Sequence, residues 1–196
     1  RHQTMAFPQV AAYNGGAEAA NALNHTVNLP SGIGAGDLLL IIISSDGNPT
    51  FTWPSGWTQL FQTANGTAAK LGACYRIADG TEGASVTVGT SVTEQCSYVT
   101  YRIEGHSSTT NPPQCGTAAT GASVNPDPPS LTPTGGAKDY LWLACEGNDH
   151  LDLVSAYPAD YTNGLNYNGG ASGSSGVGVA RRQLNAASED PGTFTL

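Results

Sequence analysis

The chain has 196 residues, a formal net charge of −8 and only 11% charged side chains, against about 25% in an average globular protein. That length suits one large β domain, and a surface of Gly, Ser, Thr and Asn fits a secreted or assembled β protein better than a cytosolic enzyme. Adjacent bases occur only at Arg181-Arg182, so the basic patch that phosphate recognition needs is missing, and neither nucleic acid nor an anionic membrane is expected as a partner.

In chain order, residues 5–13 read as a first strand broken by Pro8, which a strand tolerates only at its start or on a sheet edge. Residues 15–23 are Ala-rich and could form one helical turn, with Gly15-Gly16 and the asparagines opposing anything longer. Residues 25–29 alternate, with Val27 and Leu29 facing one way. The turn Pro30-Ser31-Gly32 leads to the longest apolar run, residues 38–43. Six residues cannot span a membrane, which takes about twenty. They suit a strand buried on both faces at the centre of a sheet. Residues 46–49 are a turn cluster; Phe51, Trp53 and Trp57 follow, with Trp57 expected to close one end of the core.

Residues 58–63 read as a short strand with Leu60 inward, and Asn65-Gly66 as a two-residue hairpin. Residues 68–78 alternate most clearly: Leu71, Ala73, Tyr75 and Ile77 on one face, Lys70, Gly72, Cys74 and Arg76 on the other. A loop at 79–83 precedes a strand at 84–90 with Val86 and Val88 inward. Residues 95–104 repeat the alternation, with Val99, Tyr101 and Ile103 opposite Cys96, Tyr98, Thr100 and Arg102. Residues 105–138 form a Pro/Gly/Thr-rich excursion, a length that in a compact domain points to function or to packing on a neighbour. A strand at 139–147 follows, with Leu141, Leu143 and Cys145 toward the core and Tyr140 and Trp142 outward or toward a second layer. Residues 151–157 are a further strand candidate, 161–176 an Asn/Gly/Ser-rich region, 176–184 a strand and 193–196 the start of another. Some ten short strands without a convincing helix predict an all-β, antiparallel, jelly-roll-like β-sandwich forming one domain over 1–196. The chain starts at Arg1, not Met, which suits a processed product or a fragment.

The four cysteines lack any C-x-x-C spacing, so zinc is poorly supported. Cys74 and Cys96 share the less apolar faces of their strands and would be a disulfide candidate if those strands were neighbours; four small buried residues is the competing reading. No Ser sits in a G-x-S-x-G elbow, and His150 beside Asp149 and Asp152 is the nearest approach to an acid–His pair. Asp46, Asp79 and Glu82 lie in turns without the D-x-D-x-D-G run of a calcium loop. No catalytic residue, metal or cofactor is expected. Tyr157, Tyr161 and Tyr167, flanked by Asn and Gly, are candidates for an exposed contact or glycan-binding surface, against the alternative of packed loop tyrosines.

Several phrases are familiar as an ordered set: Leu29-Pro30-Ser31-Gly32 with Ala35-Gly36-Asp37-Leu38-Leu39-Leu40; Pro54-Ser55-Gly56-Trp57-Thr58; Tyr75-Arg76-Ile77-Ala78-Asp79-Gly80-Thr81-Glu82-Gly83; Tyr101-Arg102-Ile103; and Glu189-Asp190-Pro191-Gly192-Thr193-Phe194. Together they resemble a β-sandwich module of tailed-phage virion proteins and related bacterial surface proteins. The resemblance implies a non-enzymatic capsid decoration (cement) or fibre protein located in the virion. Its implied partners are other virion proteins or copies of itself in a homo-oligomer, with a host surface glycan as a further partner. A carbohydrate-binding adhesin module, or an extracellular filament subunit completed by strand exchange, is the alternative. The resemblance also implies one more strand after 193–196, from this chain or a neighbour.

Overall fold

The computed structural model describes residues 6–107, 112–170 and 174–196. Among these the chain is all-β, with eleven strands and no helix. The strands are β1 (Gln9–Ala17), β2 (Ala22–Asn28), β3 (Leu38–Asp46), β4 (Phe51–Thr52), β5 (Thr58–Asn65) and β6 (Ala69–Ile77). They continue with β7 (Ser85–Glu94), β8 (Cys96–Glu104), β9 (Lys138–Asn148), β10 (Thr162–Asn168) and β11 (Gly176–Ala186). They form three antiparallel sheets, ordered β1-β8-β3-β6-β5, β10-β11-β9 and β2-β7-β4.

Strand β3 sits in the middle of the five-stranded sheet, and its two faces serve two cores. Leu38, Leu40 and Ile42 meet Val99, Tyr101 and Ile103 of β8 and Val177 and Val179 of β11. Ile41 and Ile43 meet Cys74, Cys96 and Tyr98 beside Val27, Phe51 and Val88 of the β2-β7-β4 sheet. The five-stranded sheet is therefore the filling of the sandwich, covered on both faces. A strand between two layers has no solvent side, which is why 38–43 is apolar throughout instead of alternating. Leu39, Ile41 and Ile43 are wholly buried, and each such side chain contributes about 1.5–3 kcal/mol by transfer from water. Residues from either side of the 105–138 excursion share the first core, since Val99 and Tyr101 pack with Val177 and Val179.

A third cluster lies on the outer face of the β10-β11-β9 sheet. There Trp142, Ala144 and Ala180 pack under Tyr161 and the C-terminal Phe194. Tyr140 and Trp142 thus face a second layer. The expected parities of β6, β8 and β9 all hold, and Pro8 immediately precedes β1, an edge strand.

Several expectations are corrected. Residues 15–23 contain no helical turn: β1 runs to Ala17 and β2 starts at Ala22. The β5–β6 connection has three residues, because Asn65 pairs with Ala69. A bulge between Gln59 and Phe61 turns two consecutive residues, Leu60 and Phe61, toward the same core, as an inserted residue does. Residues 151–157 are not a strand; Leu151 and Leu153 are exposed, and only Ala156 bridges, to Thr195. Conversely, β10 lies in the Asn/Gly/Ser-rich region. Met5 falls outside the described residues.

Candidate functional site

The predicted tyrosine surface is not assembled. Tyr161 is buried in the outer cluster, where Tyr157 also packs. Tyr157 meets Phe194 edge-on with ring centroids 5.9 Å apart, and its hydroxyl accepts from Asn166 Nδ2 at 3.0 Å. The Tyr167 ring packs on the first core and lies directly over Gly15, where any side chain would collide with it. Tyr161 is thus buried, while Tyr157 and Tyr167 are half-buried and engaged in packing. The Tyr161 hydroxyl is buried without a hydrogen-bond partner. Tyr161→Phe is accordingly expected to leave stability unchanged or raise it by about 1 kcal/mol, read as a shift in urea midpoint at constant slope.

The Cys74–Cys96 pairing is not formed either: all four cysteines are free. Cys74 pairs opposite Ile41, and Cys96 opposite Ser45, on the two sides of β3. Two strand spacings of about 4.8 Å and four residues of stagger separate them, beyond disulfide reach.

The turn acids are also engaged. Arg76 binds Asp79 at 2.7 Å and Glu82 at 2.9 Å, while Glu82 accepts from the Asp79 and Gly80 amides and Asp79 from Thr81. Hydrogen bonds from Thr81 hold the Asp79 carboxyl below the usual carboxylate range. His150 and Asp152 form an exposed pair at 3.0 Å.

What the fold does create is an apolar cleft at one side of the sandwich. The β10-β11-β9 sheet has three strands against five. Its β10 packs over β1 and β8, β11 over β8 and β3, and β9 over β3 and β6. Strand β5 therefore lies beyond the edge of the opposing sheet. The floor is Leu40, Ile42, Leu60, Phe61 and Ala73; one wall is Leu141, Leu143 and Cys145 of β9; residues 112–115 and 131–135 of the excursion form the roof. This compartment measures about 350 Å³ and adjoins another of about 760 Å³ toward the C-terminal end of β9. Burial grades across the core accordingly. Val99, Tyr101, Val177 and Val179 are at most 1% exposed, whereas Leu60, Phe61, Leu71, Leu143 and Cys145 are only partly buried. Gly147 lets the end of β9 descend onto Ser44 and Leu71, which a Cβ there would crowd.

The cleft is electrostatically polarised. Asp127, Glu146, Asp149, His150 and Glu189, the last paired with Arg182 at 3.3 Å, line its large compartment; Lys138 and His106 line the small one. Glu146 is 3% exposed, and burial pushes its carboxyl up to about 7, opposed by a hydrogen bond from Asn148. Asn148 Nδ2 donates to both Glu146 oxygens, at 2.9 and 3.2 Å.

A second polar cluster lies between the five-stranded and β2-β7-β4 sheets. The His25 ring is buried, with Nδ1 2.5 Å from Glu18 Oε2 and Nε2 2.9 Å from Thr90 Oγ1. Glu18, His25 and Cys96 offer three ligand atoms within 4.8 Å of one another, a donor set that zinc accepts. Both ring nitrogens are occupied by protein partners, however, and burial with Glu18 and Glu94 nearby pushes the Cys96 thiol up, away from the thiolate a metal needs. The arrangement satisfies a buried imidazole. Its sequence signal was the parity of His25 with Val27; the partners Glu18 and Thr90 come from distant segments.

No family model, curated protein or solved structure matches the chain.

Proposed function

We propose that this chain is a non-enzymatic structural module of a phage particle, of capsid decoration or fibre type, that works through protein–protein contact in an oligomer or lattice. The observation that carries the contact role is the apolar cleft beside the edge of β9 that is unpaired among the described residues. Contiguous exposed apolar surface in a weakly charged protein fits partner binding. The virion assignment is supported by the ordered phrases, whose residues bond to one another as scaffold. Arg76 reaches from one phrase to the Gly56 carbonyl of another at 3.5 Å. Arg102 reaches Asp37 at 3.3 Å.

The purified chain is expected to form oligomers in light scattering and to co-sediment with its parent particle. A strictly monomeric chain that stays in the supernatant would remove this reading. The glycan-binding alternative would have to rest on the half-buried Tyr157 and Tyr167, since Tyr161 is buried, and no specific observation favours it.

A further inference from the structure

We infer that the cleft is an acceptor site for one extended segment of another polypeptide, which adds beside β9 as a fourth strand of the β10-β11-β9 sheet. This narrows the protein-contact role proposed above, on which it rests, to one edge and one kind of partner.

Three observations converge on a strand as the occupant. The first is backbone chemistry. Among the described residues β9 pairs with β11 on one side only, so every second N–H and C=O along its other edge points away from the sheet. Among the described residues, the backbone–backbone hydrogen bonds of the excursion go to Glu189, Phe194 and Leu196, and β9 reaches it through a side chain, the Tyr140 hydroxyl donating to the Gly136 carbonyl at 2.9 Å. An open edge of this kind is a template for strand addition. The second is geometry. Successive strands of the small sheet cover β1, β8, β3 and β6 in turn; the next strand position falls over β5. The third is the floor. Leu60, Phe61 and Ala73 of β5 and β6, with Leu143 and Cys145 of β9, line a void far larger than the sub-water gaps of ordinary interiors. A strand with apolar residues at alternate positions fills that void with one face while its backbone pairs with β9.

Charge sets the direction. The acids Asp127 and Asp149, with His150 beside them, line the compartment at the C-terminal end of β9, and Lys138 and His106 line the one at its N-terminal end. A strand antiparallel to β9 begins at the acidic end, so its first half is basic. A free fatty acid would also fill an apolar void, but it leaves the β9 edge unpaired.

The test supplies the strand in cis. Leu196 lines the large compartment, so a Gly/Ser linker and a nine-residue segment, two lysines followed by alternating valine and threonine, are fused after it on the full chain. The expected result is a rise of roughly 10 °C in Tm, on the scale of 2–4 °C per kcal/mol for a chain this size, with slowed amide exchange confined to β9. The control fusion has proline at the alternate positions, and a second carries Leu143→Lys in the acceptor wall; both should lose the rise. An unchanged Tm with unchanged β9 exchange overturns the inference. So does an equal rise from the proline fusion, or decanoate protecting the cleft while the strand does not. Such a failure leaves co-sedimentation with the particle as a separate outcome, and loss of co-sedimentation leaves strand acceptance intact.

Discussion

Glu146→Gln is expected to abolish a pH-dependent loss of stability amounting to about 3 kcal/mol. The carboxyl is buried on the face of β9 opposite Cys145, against Val154 and Gly178, and its value rises from 4.5 to about 7 on folding because burial penalises the charge. Below pH 4.5 both folded and unfolded chains hold the proton, and the group imposes no penalty through titration. Between 4.5 and 7 the unfolded chain releases it while the folded chain keeps it, so stability falls as pH rises. Above 7 the full cost is present. Asp46 and Glu94 are also raised by burial and act in the same sense. Asp79 and Glu82 are lowered and act oppositely, favouring the fold above their unfolded values. Comparing wild type with Glu146→Gln cancels these shared contributions. Urea titrations at pH 4.5 and 8 should show the variant gaining about 3 kcal/mol relative to wild type at the higher pH. A constant difference across that range would mean the carboxylate is solvated in the fold. Glutamine keeps the shape and the acceptor for Asn148, so packing is little disturbed.

The same carboxyl shows where sequence reading stops. Sequence reading of β9 ends at Cys145, facing the core; Glu146 falls on the opposite face, and nothing local says that Val154 and Gly178 close over it. Strand parity was legible wherever one face is apolar and the other is not, as in β6 and β8. The double burial of β3 was legible because six apolar residues in a row leave no polar face. The outer cluster was not, because Tyr161 owes its burial to Phe194, some thirty positions away. β10 was hidden by Asn and Gly, residues that usually punctuate; Asn163 indeed takes φ 51° at its irregular start, and pairing with β11 overrides the local preference. The cleft had a signal, the long Pro-rich excursion, but its cause is a mismatch between sheets of five and three strands. Sheet width depends on pairing order, which local sequence does not specify.

The resemblance phrases gain a physical meaning here. Tyr75 to Gly83 holds its loop by clamping Arg76 between Asp79 and Glu82, and Arg102 secures the turn before β3 through Asp37. These residues set the turns that fix register, and register decides which side chains reach each core. They explain how the sandwich is built. The contact surface proposed above lies elsewhere, on the β9 edge that has no partner strand among the described residues.

Phe194→Ala should cost about 4 kcal/mol, the range for removing a fully buried aromatic ring from a packed core. Phe194 is 0% exposed and caps Trp142, Ala144, Tyr161 and Ala180. Its loss does more than open a void. The Phe194 amide donates to the Pro126 carbonyl at 2.8 Å, Leu196 to Val124 at 2.8 Å, and Thr195 to Ala156 at 2.8 Å. One short segment therefore ties the excursion to the 155–156 loop, and the ring is what seats that segment. The core beneath β3 draws on other side chains, so local opening should precede global unfolding. Hydrogen exchange is expected to show the amides of Thr195, Leu196 and Ala156 losing protection in Phe194→Ala while those of β3 keep theirs. Equal loss across both regions would mean that the C-terminal segment and the central sheet form one cooperative unit. The roof of the cleft would then be as rigid as its floor, and an incoming strand would have to enter from the β9 edge alone.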